Sequence, residues 1–513
     1  MTALAEPPEL SLGGHLRVVG TSAEDWEVDA EGNTVGWGPA LDTRLRASMD
    51  LVGGDSVDHL LFDPLIDSLT DELRLGLELD VASGQLLGDP WDLPGDERGR
   101  DQLDALTLAG ILPRRALVGA QLPIADVELG LTTSSWGLGM VANDGASDPL
   151  FGRTDFGDRV LRLRLATQPL ARGGQRLPLI ALAAFDRVVA DDLARWDQGD
   201  RAYQGIVALL WADDREEEDD RVEVRRAGVY GVLRDQRDDE GRHTQAGVMD
   251  LYGETTVALS TARLSLGAES AALLGQTDAA RTYVAPDGLA IRQLGLAVRT
   301  RLSDRRDTIA LHLRGALASG DGDPDDGVVS DFRFDRDYDV GMVLFDELLS
   351  SIDAGAHRLA SDPARAAVPP EGVDTLLAEG ALHQAMALQP AVVGRPWPWL
   401  KLKGGLVLAR ATAPISHPYY AFRSGGVPTN QAGLPTSGRS LGTEIDWGLT
   451  VSSARAGAAA PRPEPSSPAP GAKPAPPRLV TELSLQGGHA WPSRWLSPLS
   501  RVDHLLLVGQ LRW

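Results

Sequence analysis

Cations two residues apart recur along this chain: Arg44 and Arg46, Arg162 and Arg164, Arg299 and Arg301, Lys401 and Lys403. A spacing of two places both members on one face of a strand. Guanidinium planes suit carboxylates and phosphates, and rings of Arg and Lys select anions in pores. The same parity adds Arg74, Arg225 and Arg314 to that face, together with the acids Asp50, Glu78, Asp80, Glu223, Glu444, Asp446 and Glu482. Two uses of such a face stand side by side: selection of anions, and ion pairing across strands that holds an interior together.

Other chemistry is poorly represented. The nine His are scattered, with no HExxH pair and no GxSxG elbow. With no cysteine there is neither a disulfide nor a thiolate metal site. Asp321-Gly322-Asp323-Pro324-Asp325-Asp326-Gly327 resembles a calcium loop, but its Gly comes one place late and Phe332 stands where the bidentate Glu belongs. No catalytic residue, cofactor or metal is therefore expected. The net charge of −24 argues against nucleic acid as a partner.

The elements carrying the cations read as strands. Leu73-Arg74-Leu75-Gly76-Leu77-Glu78-Leu79-Asp80 alternates strictly, as do 43–50, 161–165, 309–314, 400–403, 444–449 and 482–486. Leu dominates one side, and Arg, Lys, Asp and Glu fill the other at mid-strand. A soluble sheet would favour Val, Ile and aromatics on its core face; apolar outside and charged inside is the pattern of a membrane barrel. No apolar run reaches transmembrane-helix length, so a barrel is the one membrane form open to this chain. Many of the strand-like segments exceed the usual soluble length and match a tilted membrane strand.

The expected fold is all-β: a single large antiparallel transmembrane β-barrel of about 18–20 strands with long outer loops. Segments 102–110 and 338–348 are counted among the strands. Residues 303–306 and 393–396 are expected as tight turns, and 213–221, 235–242, 319–337 and 412–439 as loops. Short helical pieces are expected over 57–69 and 345–365. Residues 319–379 form a long acidic excursion suited to plug or constrict the lumen, with Asp337, Tyr338 and Asp339 as constriction residues. The Pro/Ala-rich stretch 455–477 is expected to be a disordered insertion in one turn.

Trp136, Trp211, Trp397, Trp399, Trp491 and Trp495 fall at strand ends, as a membrane-interface girdle requires. At the C-terminus Leu505, Leu507, Gly509, Leu511 and Trp513 share one strand face, and an aromatic last residue resembles the signal read by the barrel-insertion machinery. Residues 1–5 read as the remnant of a signal-peptide cleavage region, with the barrel spanning 6–513.

Two segments resemble outer-membrane barrels of the alginate-export porin type. One is Trp136-Gly137-Leu138-Gly139-Met140-Val141-Ala142-Asn143-Asp144-Gly145, followed by Asp155-Phe156-Gly157-Asp158-Arg159. The other is Gly320-Asp321-Gly322-Asp323, leading to 332–340 and Leu344-Phe345. The resemblance implies a channel in the outer membrane of a Gram-negative cell. Its partners would be outer-membrane lipid, lipopolysaccharide, the insertion machinery, and small polar or anionic solutes or polysaccharide. The expected activity is passive diffusion or export, without enzymatic function. The alternatives are a closed structural or adhesive barrel, and a hydrolase with its site at the barrel rim.

Overall fold

The computed structural model describes residues 9–23, 26–27, 34–35, 39–53, 72–87, 110–122, 124–146, 149–154, 157–168, 178–217, 221–282, 284–323, 326–366, 380–425, 427–430, 433–453, 479–497, 499 and 501–513. The long strands are β1 (Glu9–Ala23), β2 (Ala40–Val52), β3 (Glu72–Leu87), β4 (Ile111–Gln121), β5 (Asp126–Thr133) and β6 (Arg159–Thr167). They continue as β7 (Leu179–Ala190), β8 (Arg201–Glu217), β9 (Arg221–Arg237), β10 (His243–Ala258), β11 (Ala262–Thr277) and β12 (Leu289–Asp304). The last six are β13 (Ile309–Ala318), β14 (Ala385–Trp397), β15 (Leu400–Ala411), β16 (Ser440–Ser452), β17 (Val480–Pro492) and β18 (Val502–Arg512).

Each strand pairs antiparallel with the next, and β18 pairs with β1, His15 opposite Arg512, so the sheet closes as an 18-strand barrel. Closure leaves no free edge, the one way a sheet can satisfy its backbone in lipid. The alternation sets the faces. Leu161, Leu163 and Leu165 on β6 and Leu505 and Leu507 on β18 point outward and are exposed, while Arg162, Arg164, His504 and Leu506 between them point inward. An exposed leucine belt around a closed barrel is stable only against lipid.

The seam between β1 and β18 is closed by Trp513. Its backbone N–H donates to Gly14 O at 3.0 Å, Gly14 N donates back at 2.9 Å, and its ring lies over Gly14 where no Cβ would fit.

One end carries the tight links 122–125, 259–261, 305–308 and 398–399 together with a few longer connections such as 453–479; the other carries most of the long ones, among them 134–158, 191–200, 319–384 and 412–439. Several expected boundaries move. β8 and β9 run through most of 213–221 and β9 continues to Arg237, because cross-strand pairs from Arg215 opposite Glu223 to Arg201 opposite Arg237 extend the ladder. The turn expected at 393–396 falls at 398–399, after a bulge between Gly394 and Trp397.

The segment 338–348 is not a strand. It lies inside the barrel, entering a π-helical turn at Leu344–Leu349 and then α1 (Ser350–Ser361) and α2 (Pro363–Ala366), in keeping with the helical pieces expected over 345–365. A further short helix, α3, spans Pro418–Arg423. Most of 102–110 and all of 1–5, 57–69 and 455–477 lie outside the described residues.

The apolar core sits within the lumen. Phe151 from 134–158, and Phe332, Phe334, Met342, Leu344 and Leu348 from 319–384, are buried against the inner wall. Inward-facing glycines admit them: a Cβ on Gly405 would come within 2.7 Å of Phe151, and one on Gly295 would overlap Phe332.

Candidate functional site

The two infolded loops meet each other. Asp335 N donates to Met140 O at 2.9 Å, Asp335 Oδ2 accepts from Asn143 N at 2.9 Å, and Asp337 Oδ2 accepts from Gly157 N at 2.6 Å. These are the two segments on which the sequence resemblance rested, about 190 residues apart along the chain; Asp155 and Phe156 lie outside the described residues. The acids of the second loop thus act first as acceptors for buried backbone N–H groups.

The wall holds the loops with its inward polar residues. Glu444, fully buried on β16, accepts from the backbone N–H groups of Met342, Val343 and Leu344 at 2.6, 2.9 and 2.7 Å. Lys403 Nζ donates to Leu150 O at 2.7 Å and Gln486 Oε1 at 2.8 Å, and lies 5.2 Å from the Phe151 ring centre. Arg314 Nη1 reaches both the carbonyl and Oδ2 of Asp339 at 3.3 Å. Glu269 accepts from Leu138 N.

Trp136, expected in the interface girdle, instead enters the lumen. Its ring stacks on Tyr230 at 4.9 Å, and Nε1 donates to Asp250 Oδ1 at 2.8 Å, because its segment belongs to the infolded loop. Trp397 and Trp399 do lie exposed at a tight turn, stacked at 5.6 Å.

Burial shapes the loop acids. It raises the Asp335 and Asp346 carboxyls well above the usual range, with neighbouring carboxylates adding to the effect. It lifts Glu347 to about 8. Asp339 rises to about 7 through burial, against the opposing pull of Arg314 and Lys403. Tyr338 packs edge-on against Phe334 at 4.8 Å, and burial raises its hydroxyl to about 12.

The cations fall into two sets. On β2 to β6 they are woven into pairs. Arg46 is bidentate on Asp80 at 2.6 and 2.8 Å, Arg115 meets Asp50 at 2.7 Å, and Arg74 meets Asp126. Arg164 joins Asp126 to Glu128 at 3.0 Å each, and Arg162 grips Asp186 at 2.7 and 2.8 Å while also reaching Ser134 Oγ. Around Arg44 the charges are mostly cationic: Arg17, Arg46 and Arg114 against Asp80.

Toward the tight-turn end, Arg299 is 43% exposed and stands 3.5 Å from Glu254, Arg301 binds Asp307, and Lys401 is half-exposed. Arg225 is the one cation of the expected set on the wrong side. β9 turns Arg226, Tyr230 and Arg234 inward, so Arg225 shares the outer face of Val229 and Leu233. Residues that sequence reasoning passed over are Arg17, Arg114, Arg115 and Arg153. In β4 the pairing steps from Arg115 opposite Glu78 to Pro113 opposite Leu79, so Arg114 is an extra residue that breaks the alternation, and Arg153 lies in a loop; Arg17 sits in the unbroken alternation of β1 and was open to the same parity argument.

Two Asp and His pairs stand at the loop end, Asp235 with His243 at 3.0 Å and Asp503 with His489 at 2.7 Å. Both lie on the outer face of the wall, and their further partners are Gln245 and Arg501.

Solved structures similar to the chain include OccAB1 of Acinetobacter baumannii, 10% identical with a TM-score of 0.48, covering 99% of this chain and 98% of that one. A BenF-like porin from Pseudomonas fluorescens Pf-5 is 10% identical with a TM-score of 0.45, covering 98% of each. Pseudomonas aeruginosa OccK2 (OpdF) in complex with glucuronate is 10% identical with a TM-score of 0.44, again covering 98% of each. The alginate-export type is not among these three. No family model and no curated protein matches the chain.

Proposed function

We propose that this chain is a channel of the Gram-negative outer membrane, passing small hydrophilic, anionic solutes by passive diffusion through a lumen narrowed by its own loops. The observation that carries this reading is the inward arginine wall. Clustered guanidinium groups around Arg44 face a lumen whose loop carboxyls are engaged in hydrogen bonds or held by burial near protonation. That asymmetry leaves the wall net attractive to anions. Arg44, Arg46, Arg74, Arg162, Arg164, Arg299, Arg301, Arg314, Lys401 and Lys403 form its anion-facing set. Asp337, Tyr338 and Asp339 set the narrowest passage. Trp513 serves as the insertion signal, beside its packing over Gly14. No cofactor enters the mechanism, and the barrel performs no catalysis.

Export of a polysaccharide, as the alginate-export resemblance suggests, is the broader version; the filled lumen favours small solutes over it. Glu444 favours a second reading, a closed structural barrel, because its three backbone contacts pin the loop across the lumen. Conductance in planar bilayers separates the two. Stable anion-selective steps are expected, whereas insertion without steps would leave the closed barrel.

A further inference from the structure

The outer wall of β7 to β11 carries a feature that transport does not use. Cross-strand register sets Phe185, Gly205, Leu233, Gly247 and Leu274 in one row across five neighbouring strands, large and small in alternation. Phe185 and Leu233 project outward and are well exposed. A Cβ on Gly205 would meet nothing within 4 Å. The row therefore forms slots over its glycines, part of a furrow of about 470 Å³. Flanking side chains two strands apart are about 9–10 Å from each other, wide enough for an alkyl chain.

Polar groups lie directly above, toward the loop end. Tyr203 stacks on Phe185 at 6.2 Å, and Gln245 and Gln276 continue the rim. One place higher, Arg201 and Arg237 are direct cross-strand partners, both exposed. Like charges in that position destabilise a sheet, and an anion held by both guanidinium groups would offset the repulsion. A third cation, Arg187, lies opposite Tyr203 with its guanidinium 3.7 Å over Trp196. The acid among them, Asp235, is already held by His243 and Gln245.

We propose that this face binds a phosphorylated glycolipid of the outer leaflet. Its phosphate bridges Arg201 and Arg237, its sugar hydroxyls meet the Gln245 and Gln276 amides, and its acyl chains lie in the glycine slots. Phosphate matches the guanidinium fork, and the amides offer both donors and acceptors to hydroxyls. The inference rests on the membrane-barrel reading, which sets the long-loop end at the outer leaflet.

The test is native mass spectrometry of the full chain refolded in detergent, with bisphosphorylated lipid A as probe and its dephosphorylated form as control. A one-to-one adduct with the phosphorylated probe is expected. The Arg201→Ala, Arg237→Ala double variant should lose it at least tenfold, and Gly205→Leu, which fills a slot without touching the lumen, should lose it with conductance unchanged. Equal binding of the dephosphorylated lipid, or adducts indifferent to both variants, overturns the proposal. So does a lipid-free oligomer that Gly205→Leu dissolves, which would assign the furrow to a second copy of the chain. A wild-type barrel that conducts without binding lipid refutes this inference alone; a chain that never inserts refutes the channel reading as well.

Discussion

The two ends of this lumen use the same residue types for opposite purposes. At the long-loop end inward acids such as Asp186, Glu269 and Glu444 are at most 1% exposed, and they satisfy a guanidinium or backbone N–H groups of the infolded loops. At the tight-turn end Asp50 and Arg299 keep about 40% of their side chains in contact with water. Charge at the first end is architecture, because burying it unpaired is prohibitive; charge at the second is a screened field. Resistance to flow should therefore arise at the filled end, and single changes there should matter more.

The strongest test of that contrast is Glu444→Ala. It removes the acceptor of three buried N–H groups, each charge-assisted bond being worth about 1.5–3 kcal/mol. The loss should free Met342–Leu344 from the wall. Single-channel conductance is expected to rise severalfold, with the barrel still resistant to detergent unfolding. Unchanged conductance would mean that the loop does not limit flow.

Arg44→Glu comes next. Reversing a charge set among Arg17, Arg46 and Arg114 should shift the anion-to-cation permeability ratio, read from reversal potentials, toward cations by about fivefold, or about 1 kcal/mol. Arg299→Glu, water-exposed at the other end, should shift it by no more than about twofold, and less in high salt. Equal shifts at the two positions would erase the distinction between the ends.

How much of this was readable beforehand depends on the range of the interactions. The strands were legible because period-two alternation is local, and the closed barrel followed from leucine outside and charge inside. The filled lumen was not. Nothing near Glu444 announces that it will receive the N–H groups of Met342 to Leu344, about 100 residues away. Segment 338–348 alternates well enough to pass for a strand, yet those N–H groups go to a carboxylate instead of a neighbouring ladder. Arg225 escapes the alternation for a local reason: Arg225 and Arg226 are adjacent cations, and alternation alone does not say which of them faces in. Trp136 was read from its position at a strand end, and its placement depends on Asp250 and Tyr230, brought near only by closure.

A smaller effect should come from pH. Asp339, lifted to about 7 from an ordinary 3.8, carries a proton in the infolded loop that it would release when freed. The native state therefore binds more protons than the unfolded one across that interval. Its contribution to loop stability is complete below the unfolded value and is lost as pH rises through about 7. Above that point a carboxylate also joins the anion path beside Arg314 and Lys403. Anion selectivity is thus expected to fall about twofold between pH 6 and pH 8, and Asp339→Asn should flatten the profile. A wild-type profile already flat would show that Arg314 keeps the carboxylate ionised throughout.

The least effect of all is expected from the longest connection at the tight-turn end. Residues 455–477 link β16 to β17, whose ends are already joined where Ser453 N donates to Thr481 O at 2.9 Å. A short Gly-Asn turn can bridge so small a gap, and closure entropy depends only logarithmically on the length of a link. Replacing the stretch in this way should leave conductance, selectivity and detergent resistance within error of the parent chain. A marked rise in conductance would place a barrier at the tight-turn mouth as well, and the division of the lumen into a filled end and a water-facing end would then have to be redrawn.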